Sequence, residues 1–176
     1  MVDAGSGLEP IQIVAEGYDE IAHRYLDWSA TAPIRLRYLE QLLELLAPGS
    51  DVLELGCGAG EPVTRRLAER HPSFDAVVAF YSLTHVPRSH HADLIGRIVG
   101  WMRPGGLVLL TMGGLDNPGT VEEDWLGAPM YFSHFDAPTN RALIQRAGVR
   151  ILSADAVEED ARDAGARFLW VIGRVD

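Results

Sequence analysis

The residues of this sequence best suited to chemistry are a glycine-rich loop preceded by an acidic side chain. The loop reads ELGCGAG over residues 54–60 and follows the apolar segment VLEL. Glycine permits positive φ angles and close approach of a ligand to the backbone, and a helix start offers free N–H donors. The carboxylate of Glu54 would repel a phosphate. The loop therefore predicts a ligand that carries an amine or another cationic group.

His134 is the first candidate for a general base, because histidine titrates near neutral pH. It lies in the segment GAPMYFSHFD, within residues 113–135, which are predicted to be a long irregular loop of functional type. Aromatic and apolar neighbours would form a pocket for a small acceptor: Trp125, Met130, Tyr131 and Phe132. The alternative is that His134 only makes a hydrogen bond within an ordered loop.

Other histidines are placed differently. His85 follows an apolar strand, at the sheet edge where α/β folds bind ligands, so structural and catalytic roles both remain open. His90 and His91 stand at a helix start and are predicted to be solvated. The chain has one cysteine, Cys57, and no His, Cys or carboxylate spacing typical of a metal site. We expect no metal and a reducing, cytoplasmic environment.

Helices and strands alternate along the chain, which predicts a mostly parallel sheet with helices on both faces. Two N-terminal helical segments come first, IQIVAEGYDEIAHRYLDW and TAPIRLRYLEQLLELLAPG. Apolar strands follow at VLEL, SFDAVVAFYSL and LVLLTMG, with helices at EPVTRRLAERH, SHHADLIGRIVGWM and APTNRALIQRAG. Asp136 is the predicted cap of the last helix. Two final strands lie near 149–158 and 166–175.

Composition limits the possible partners. The 176 residues fit a single domain, and the net charge of −10 argues against nucleic acid and anionic membranes. The sequence contains no apolar run of the ~20 residues that cross a bilayer, and its first residues do not resemble a secretory signal. All 15 basic residues are arginine, which suggests a GC-rich bacterial gene. Without lysine, Schiff-base and P-loop chemistry are excluded.

Several motifs in order resemble the class I S-adenosylmethionine-dependent methyltransferases that act on small molecules. VLELGCGAG resembles their first motif, SFDAVVAFYSLTHV their fourth strand, and WMRPGGLVLLTM the passage into the next strand. YDEIAHRYLDW resembles the N-terminal helix that covers the cofactor. The last two strands resemble the antiparallel hairpin that closes the sheet. The resemblance implies a Rossmann-like, three-layer α/β/α fold, with residues 1–48 as a helical lid and 51–176 as the sheet core.

The same resemblance implies a set of cofactor-binding residues. Backbone of the loop would line the methionine part of S-adenosylmethionine, and Glu54 would hold its amino group, while S-adenosylhomocysteine would be the product. Tyr18 and Tyr25 would close over it from the lid, although their spacing equally suits helix core. The full set is Tyr18, Tyr25, Glu54, Gly56, Cys57, Gly58, Gly60, Tyr81 and Ser82.

One part of the family pattern is missing. The first helix is followed directly by the fourth strand, with the join near residues 71–72, and a strand–helix–strand unit of ~30 residues does not fit there. No residue matches the family's ribose-binding carboxylate. The sheet is therefore predicted to be truncated at one edge, with its first strand exposed. Right-handed crossover would need the helix at 61–70 to change face, or a segment to be swapped in a homodimer.

These observations leave two main functions open. One is S-adenosylmethionine-dependent methyl transfer to a small-molecule acceptor. The other is a degenerate methyltransferase-like scaffold that binds cofactor weakly or not at all and acts as a dimeric binding or assembly module. A third is non-methylating chemistry on an apolar ligand in the same pocket.

Overall fold

The computed structural model describes residues 9–29, 33–56, 74–158 and 166–176. Within them the helices are α1 (Pro10–Ser29), α2 (Pro33–Leu45), α3 (His91–Gly100) and α4 (Ala137–Arg146). The strands are β1 (Val52–Leu55), β2 (Phe74–Ala79), β3 (Met102–Gly113), β4 (Asn117–Trp125), β5 (Ala128–His134), β6 (Val149–Glu158) and β7 (Arg167–Val175). Short 3₁₀ turns cover Ser82–His85 and Arg88–His90.

Five strands form the main sheet in the order β1-β2-β3-β7-β6. The pairs β1–β2 and β2–β3 are parallel, whereas β7 runs antiparallel to both β3 and β6. This confirms the Rossmann-like sheet with a C-terminal antiparallel hairpin. Among the described residues β1 lies at the edge of the sheet and its four residues are all half-buried, as a truncated edge predicts. Pairing of this edge with a second chain stays a prediction.

Each face of the sheet carries its own apolar layer, because successive strand residues point to opposite sides. Val77 and Ala79 of β2 face α3 and α4 and pack with Ile95, Ile98 and Ile144. The alternate residues of β2 face α2. They pack with the buried residues of that helix and with Trp170, whose ring stacks on the ring of Tyr38. Helices on both faces confirm the three-layer arrangement. Asp136 caps α4 as predicted, since its side chain accepts a hydrogen bond from the Thr139 amide at 2.9 Å.

The segment predicted as an irregular loop is instead a β-hairpin, so that prediction was wrong. β4 and β5 form a separate two-stranded antiparallel sheet. Leu126 and Gly127 join them with φ angles of 54° and 96°, the two-residue turn that matches the twist of hairpin strands. The sequence signal was weak because β4 begins with Asn-Pro-Gly and carries three successive acidic residues, with Thr120 and Val121 as its only β-branched residues.

The hairpin matters because it holds α1 away from the main sheet. Ile21 of α1 packs with Trp125, Ala128 and Met130 of the hairpin in a third apolar cluster. α2, in contrast, packs on the main sheet through Tyr38, Leu39 and Leu42. The two helices predicted together as a lid thus have different supports. No helix among the described residues is long and apolar enough to span a membrane.

Candidate functional site

Two backbone turns bring the predicted methionine-binding residues together at the carboxyl ends of β1 and β2. The strands are in parallel register, with Leu55 opposite Ala79, so Gly56 and Ser82 meet just beyond them. Gly56 has φ 69°, and the Ser82 hydroxyl donates to the Leu55 carbonyl at 3.3 Å. Tyr81 also adopts a left-handed conformation, with φ 60°. Left-handed backbone at a non-glycine residue is uncommon and often accompanies function.

The contact between Gly56 and Ser82 gives a first prediction. A Cβ on Gly56 would lie 2.6 Å from the Ser82 Cβ, at a positive φ that disfavours side chains. We expect Gly56→Ala to lower the free energy of unfolding by about 2–4 kcal/mol, combining backbone strain with overpacking. Gly105 is the matched control, because it has φ 80° with open space around a Cβ and should lose only the strain part.

Urea unfolding of both variants measures this difference. Adding Ser82→Gly to Gly56→Ala should recover the overpacking part, as a double-mutant cycle would show. Equal losses for the Gly56 and Gly105 variants would contradict the tight packing of the two strand ends.

Of the other loop residues, Cys57, Gly58 and Gly60 lie outside the described residues, as does the join near 71–72. Glu54 lies on β1, half-buried and in register with Val78 of β2. It lies two residues before Gly56, near the carboxyl end of the same strand.

An aromatic cleft opens beside these strand ends, between α1, the hairpin and the main sheet. It is narrow and partly open to solvent. Its lining consists of Tyr18, Tyr25, Trp28, Tyr81, Thr84, His85, Trp125, Phe132 and Phe168. Four of these were predicted as site residues and two as pocket neighbours of His134. No Asp or Glu is among the described residues that line the cleft.

His85 forms a fixed hydrogen-bonded pair with Tyr18 inside this cleft. The Tyr18 hydroxyl lies 2.9 Å from His85 Nε2, and His85 Nδ1 lies 3.0 Å from the Tyr131 carbonyl oxygen. A carbonyl can only accept, so Nδ1 carries the proton and Nε2 accepts from the tyrosine. Burial lowers the pKa of His85 to about 4, although the Tyr131 carbonyl opposes the shift. The imidazole is therefore neutral at pH 7.

Burial also raises the pKa of Tyr18, with a further rise from Tyr25, so its hydroxyl keeps its proton. The ring meets those of Tyr25 and His85 edge-on, with centroids 5.2 and 5.3 Å away. Trp125 stands about 6 Å from the rings of Tyr18, Tyr25 and Trp28. These rings enclose the Tyr18–His85 pair in an apolar surrounding.

His134 lies elsewhere. It ends β5, its Nδ1 lies 2.7 Å from the Leu115 carbonyl oxygen, and its ring rests on Gly113. His134 is not among the residues that line the aromatic cleft. The structure thus brings together His85, Tyr18, Tyr25 and Tyr81 but not His134. The prediction of a solvated His91 was wrong: it is fully buried, with Nε2 2.9 Å from the Val86 carbonyl oxygen, whereas His90 is exposed.

Sequence reasoning missed Arg35, a charged side chain behind the cleft. Only 6% of it is exposed, and its Nη2 donates to the Tyr25 hydroxyl at 3.1 Å. Its Cζ lies 4.8 Å from the centroid of the Tyr81 ring. Burial lowers the pKa of Arg35, but Tyr25 and Tyr81 raise it more, so the guanidinium stays charged. The available signal was its spacing, because Arg35 shares a helical stripe with Tyr38, Leu39 and Leu42.

Comparison with solved structures decides the fold. The 1,6-didemethyltoxoflavin-N1-methyltransferase of Burkholderia thailandensis superposes with a TM-score of 0.69 at 17% identity, covering 96% of this chain and 92% of that one. The chain has the class I methyltransferase fold. Two further structures, both solved with S-adenosylhomocysteine, have the same fold as this chain. DhpI has a TM-score of 0.60 at 17% identity, covering 93% of this chain and 97% of that one.

The N-methyltransferase NodS of Bradyrhizobium japonicum has a TM-score of 0.56 at 15% identity, covering 90% of this chain and 98% of that one. The methyltransferase fold also occurs in the [4+2]-cyclase SpnF, with a TM-score of 0.56 at 16% identity. Neither a family model nor a curated protein sequence matches the chain. At these identities the methyltransferase fold is shown, and activity must be argued from the site.

Proposed function

We propose that this protein transfers a methyl group from S-adenosylmethionine to a small-molecule acceptor held in the aromatic cleft. The observation that carries the proposal is the position of the cleft, directly beside the turns that follow β1 and β2. Ligands of open α/β sheets bind at this carboxyl end. Tyr81 belongs to both places, because it follows β2 and also lines the cleft. A cofactor at the strand ends and an acceptor in the cleft would therefore be neighbours.

The described residues fit the methionine end of the cofactor. Gly56 is exposed, and its left-handed turn presents backbone to a ligand. Glu54, on the strand before it, supplies a carboxylate for an amino group. Ser82 has a hydroxyl at the same strand ends. Residues 57–73 lie outside the described part of the chain, so the absence of a ribose-binding carboxylate stays a prediction.

A bound cofactor would supply a sulfonium methyl group, which an acceptor lone pair would take while sulfur kept the electron pair of the broken carbon–sulfur bond. The protein has to position the acceptor and exclude water. Trp28, Trp125 and Phe132 provide an apolar wall for this purpose. Tyr18 and His85 are a hydrogen-bonded polar pair within this wall. His85 Nε2 can accept a proton that passes through the Tyr18 hydroxyl.

The low pKa of His85 bears on the type of acceptor. A general base works best when its pKa lies near the operating pH, and a pKa of about 4 is well below it. The site is therefore better suited to an acceptor atom that needs no strong base, such as a heteroatom that is already deprotonated or has a free lone pair. His85 then positions the acceptor through Tyr18.

Binding of S-adenosylhomocysteine tests the proposal. We expect one molecule per chain by native mass spectrometry, which also reports the subunit number. Glu54→Ala should weaken binding about 10- to 100-fold, because a charged hydrogen bond to the amino group is lost. Glu123→Ala, at an exposed position of β4, is the control and should bind as the wild type does.

Absence of S-adenosylhomocysteine binding in the wild type would overturn methyl transfer and favour the second candidate, a scaffold that binds an apolar ligand. That candidate is supported by the mostly aromatic lining of the cleft. Unchanged affinity in the Glu54 variant would remove Glu54 from the cofactor site.

A further inference from the structure

Arg35 is a buried cation that has no carboxylate partner among the described residues. Its exposed fraction is 6%, and within the described part of the chain its polar contacts are two tyrosines, with no carboxylate among them. The Nε atom is buried and has no hydrogen-bond partner. Buried charges are usually paired with an opposite charge, because neutral hydrogen-bond partners replace only part of the hydration that is lost on burial. Arginine cannot escape this cost by deprotonation.

The two tyrosines that contact Arg35 both line the aromatic cleft. The Tyr25 hydroxyl accepts a hydrogen bond from Arg35 Nη2 and is also hydrogen-bonded to Tyr18, so it connects the guanidinium to the polar pair inside the cleft. Tyr81 lies under the guanidinium, 4.8 Å from the Cζ atom to the ring centroid. The positive charge is thus one side chain away from the cleft. The cleft itself has no described acidic side chain in its lining, and its histidine is neutral.

The rings alone would also suit a ligand of opposite charge. An enclosure of tyrosine and tryptophan rings can bind an ammonium group through cation–π attraction. Here the guanidinium already occupies that role for the Tyr81 ring and lies 6.0 Å from the Tyr25 ring centroid. A second cation beside these rings would be repelled. The net charge of −10 likewise shows that the positive site is local, not part of a general basic surface.

We propose that the cleft binds an aromatic acceptor with an acidic group, a carboxylate or an equivalent planar oxyanion, for which the Arg35 guanidinium behind Tyr25 and Tyr81 provides the countercharge. This inference rests on the proposed function and names the class of its acceptor. The guanidinium attracts the anion across Tyr25 and Tyr81, and the unused Nε donor is available if the ligand displaces the Tyr25 ring. The acidic group anchors the acceptor and need not be the atom that is methylated.

Matched probe compounds test the charge preference directly. Benzoate, benzamide and benzylamine have the same ring and nearly the same size but carry negative, zero and positive charge, and benzoate and benzamide also share a planar end group. We expect calorimetry to show benzoate binding at least 10-fold more tightly than benzamide, and benzylamine binding most weakly, because hydrogen bonds to charged groups are the strong ones.

Variants at Arg35 then test whether this side chain causes the preference for benzoate over benzamide. Arg35→Met keeps the volume and removes the charge, and it should reduce the benzoate-to-benzamide ratio to about 1. Arg35→Lys keeps the charge without the planar fork and should retain part of the ratio. Arg37→Gln, exposed on the same helix, is the control and should keep the wild-type ratio. Urea unfolding of each variant confirms that the fold is retained.

A second pair of probes separates the acceptor from the cofactor. S-adenosylhomocysteine has an amino-acid end with a carboxylate and an amino group, whereas 5′-methylthioadenosine is the same thionucleoside without that end. If Arg35→Met weakens the binding of S-adenosylhomocysteine but not that of 5′-methylthioadenosine or benzoate, Arg35 pairs with the cofactor. The acceptor assignment is then overturned. The acceptor assignment is also overturned if the wild-type protein binds benzoate no more tightly than benzamide. If the wild-type protein prefers benzoate but does not bind S-adenosylhomocysteine, the proposal of an anion site is supported and the proposal of methyl transfer is overturned.

Discussion

The free energy of unfolding should fall by about 2 kcal/mol between about pH 7.5 and about pH 4.5 because of His85 alone. Its pKa is about 4 in the folded protein, since burial disfavours the charged ring, whereas an unfolded chain has the ordinary value of about 6.5. Between these values the unfolded state binds more protons. Stability from this group is therefore complete above pH ~6.5 and is lost as the pH falls toward 4.

His85→Gln measures the contribution. Glutamine has no titrating group, so the pH slope of its unfolding free energy should be smaller than that of the wild type by this amount. Urea titrations at several pH values give both slopes. His91 is also buried, with a pKa lowered by burial, so His91→Gln identifies the share of the slope that belongs to it. Identical slopes for wild type and His85→Gln would show that His85 is hydrated in solution.

Gly17→Ala should destabilise the protein even though alanine favours helices. Gly17 lies in the middle of α1, where glycine costs about 1 kcal/mol relative to alanine. A Cβ there would lie 2.5 Å from the Pro129 carbonyl oxygen and 2.9 Å from the Met130 methyl carbon of the hairpin. Overpacking of this kind costs about 1–3 kcal/mol and should outweigh the helix gain.

Gly96→Ala is the control for this variant. Gly96 lies within α3 with nothing near the position of a Cβ, so alanine should raise stability by about 0.5–1 kcal/mol. Urea unfolding should thus show opposite signs for the two substitutions. Because Tyr18 follows Gly17, displacement of α1 should also break the Tyr18–His85 hydrogen bond and let water reach His85, which would reduce the pH slope. A stabilising Gly17→Ala would contradict the close packing of α1 on the hairpin.

The pH dependence attributed to His85 and the destabilisation expected for Gly17→Ala both depend on the β4–β5 hairpin. This hairpin is the part of the fold that the sequence predicted least well. Residues 117–134 lack the regular alternation of a half-buried strand, because VEED places acidic side chains in succession. Once paired, Val121 lies opposite Tyr131 and Glu122 opposite Met130, so β5 supplies most of the apolar face. Cross-strand partners of this kind determine the hairpin, and they are not visible in either strand alone.

The main sheet, in contrast, was accessible from local patterns. Continuous apolar runs predicted β2 and β3, and Gly56 marked the turn after β1, where the structure finds a positive φ. Asp136 marked the start of α4 by its capping side chain. Such signals act over a few residues, so they can be read without knowing the fold.

By itself the sequence determined the layers of this protein, the order of its motifs and the glycine turn at the strand ends, because backbone preference and apolar periodicity are local properties. Only the tertiary structure decided which side chains meet. Tyr18 and His85 are 67 positions apart, and their pairing requires α1, the hairpin and the end of β2 to be in place together. Arg35 became a candidate for the same reason: burial and the absence of a described carboxylate partner are properties of packed neighbours, not of a residue type.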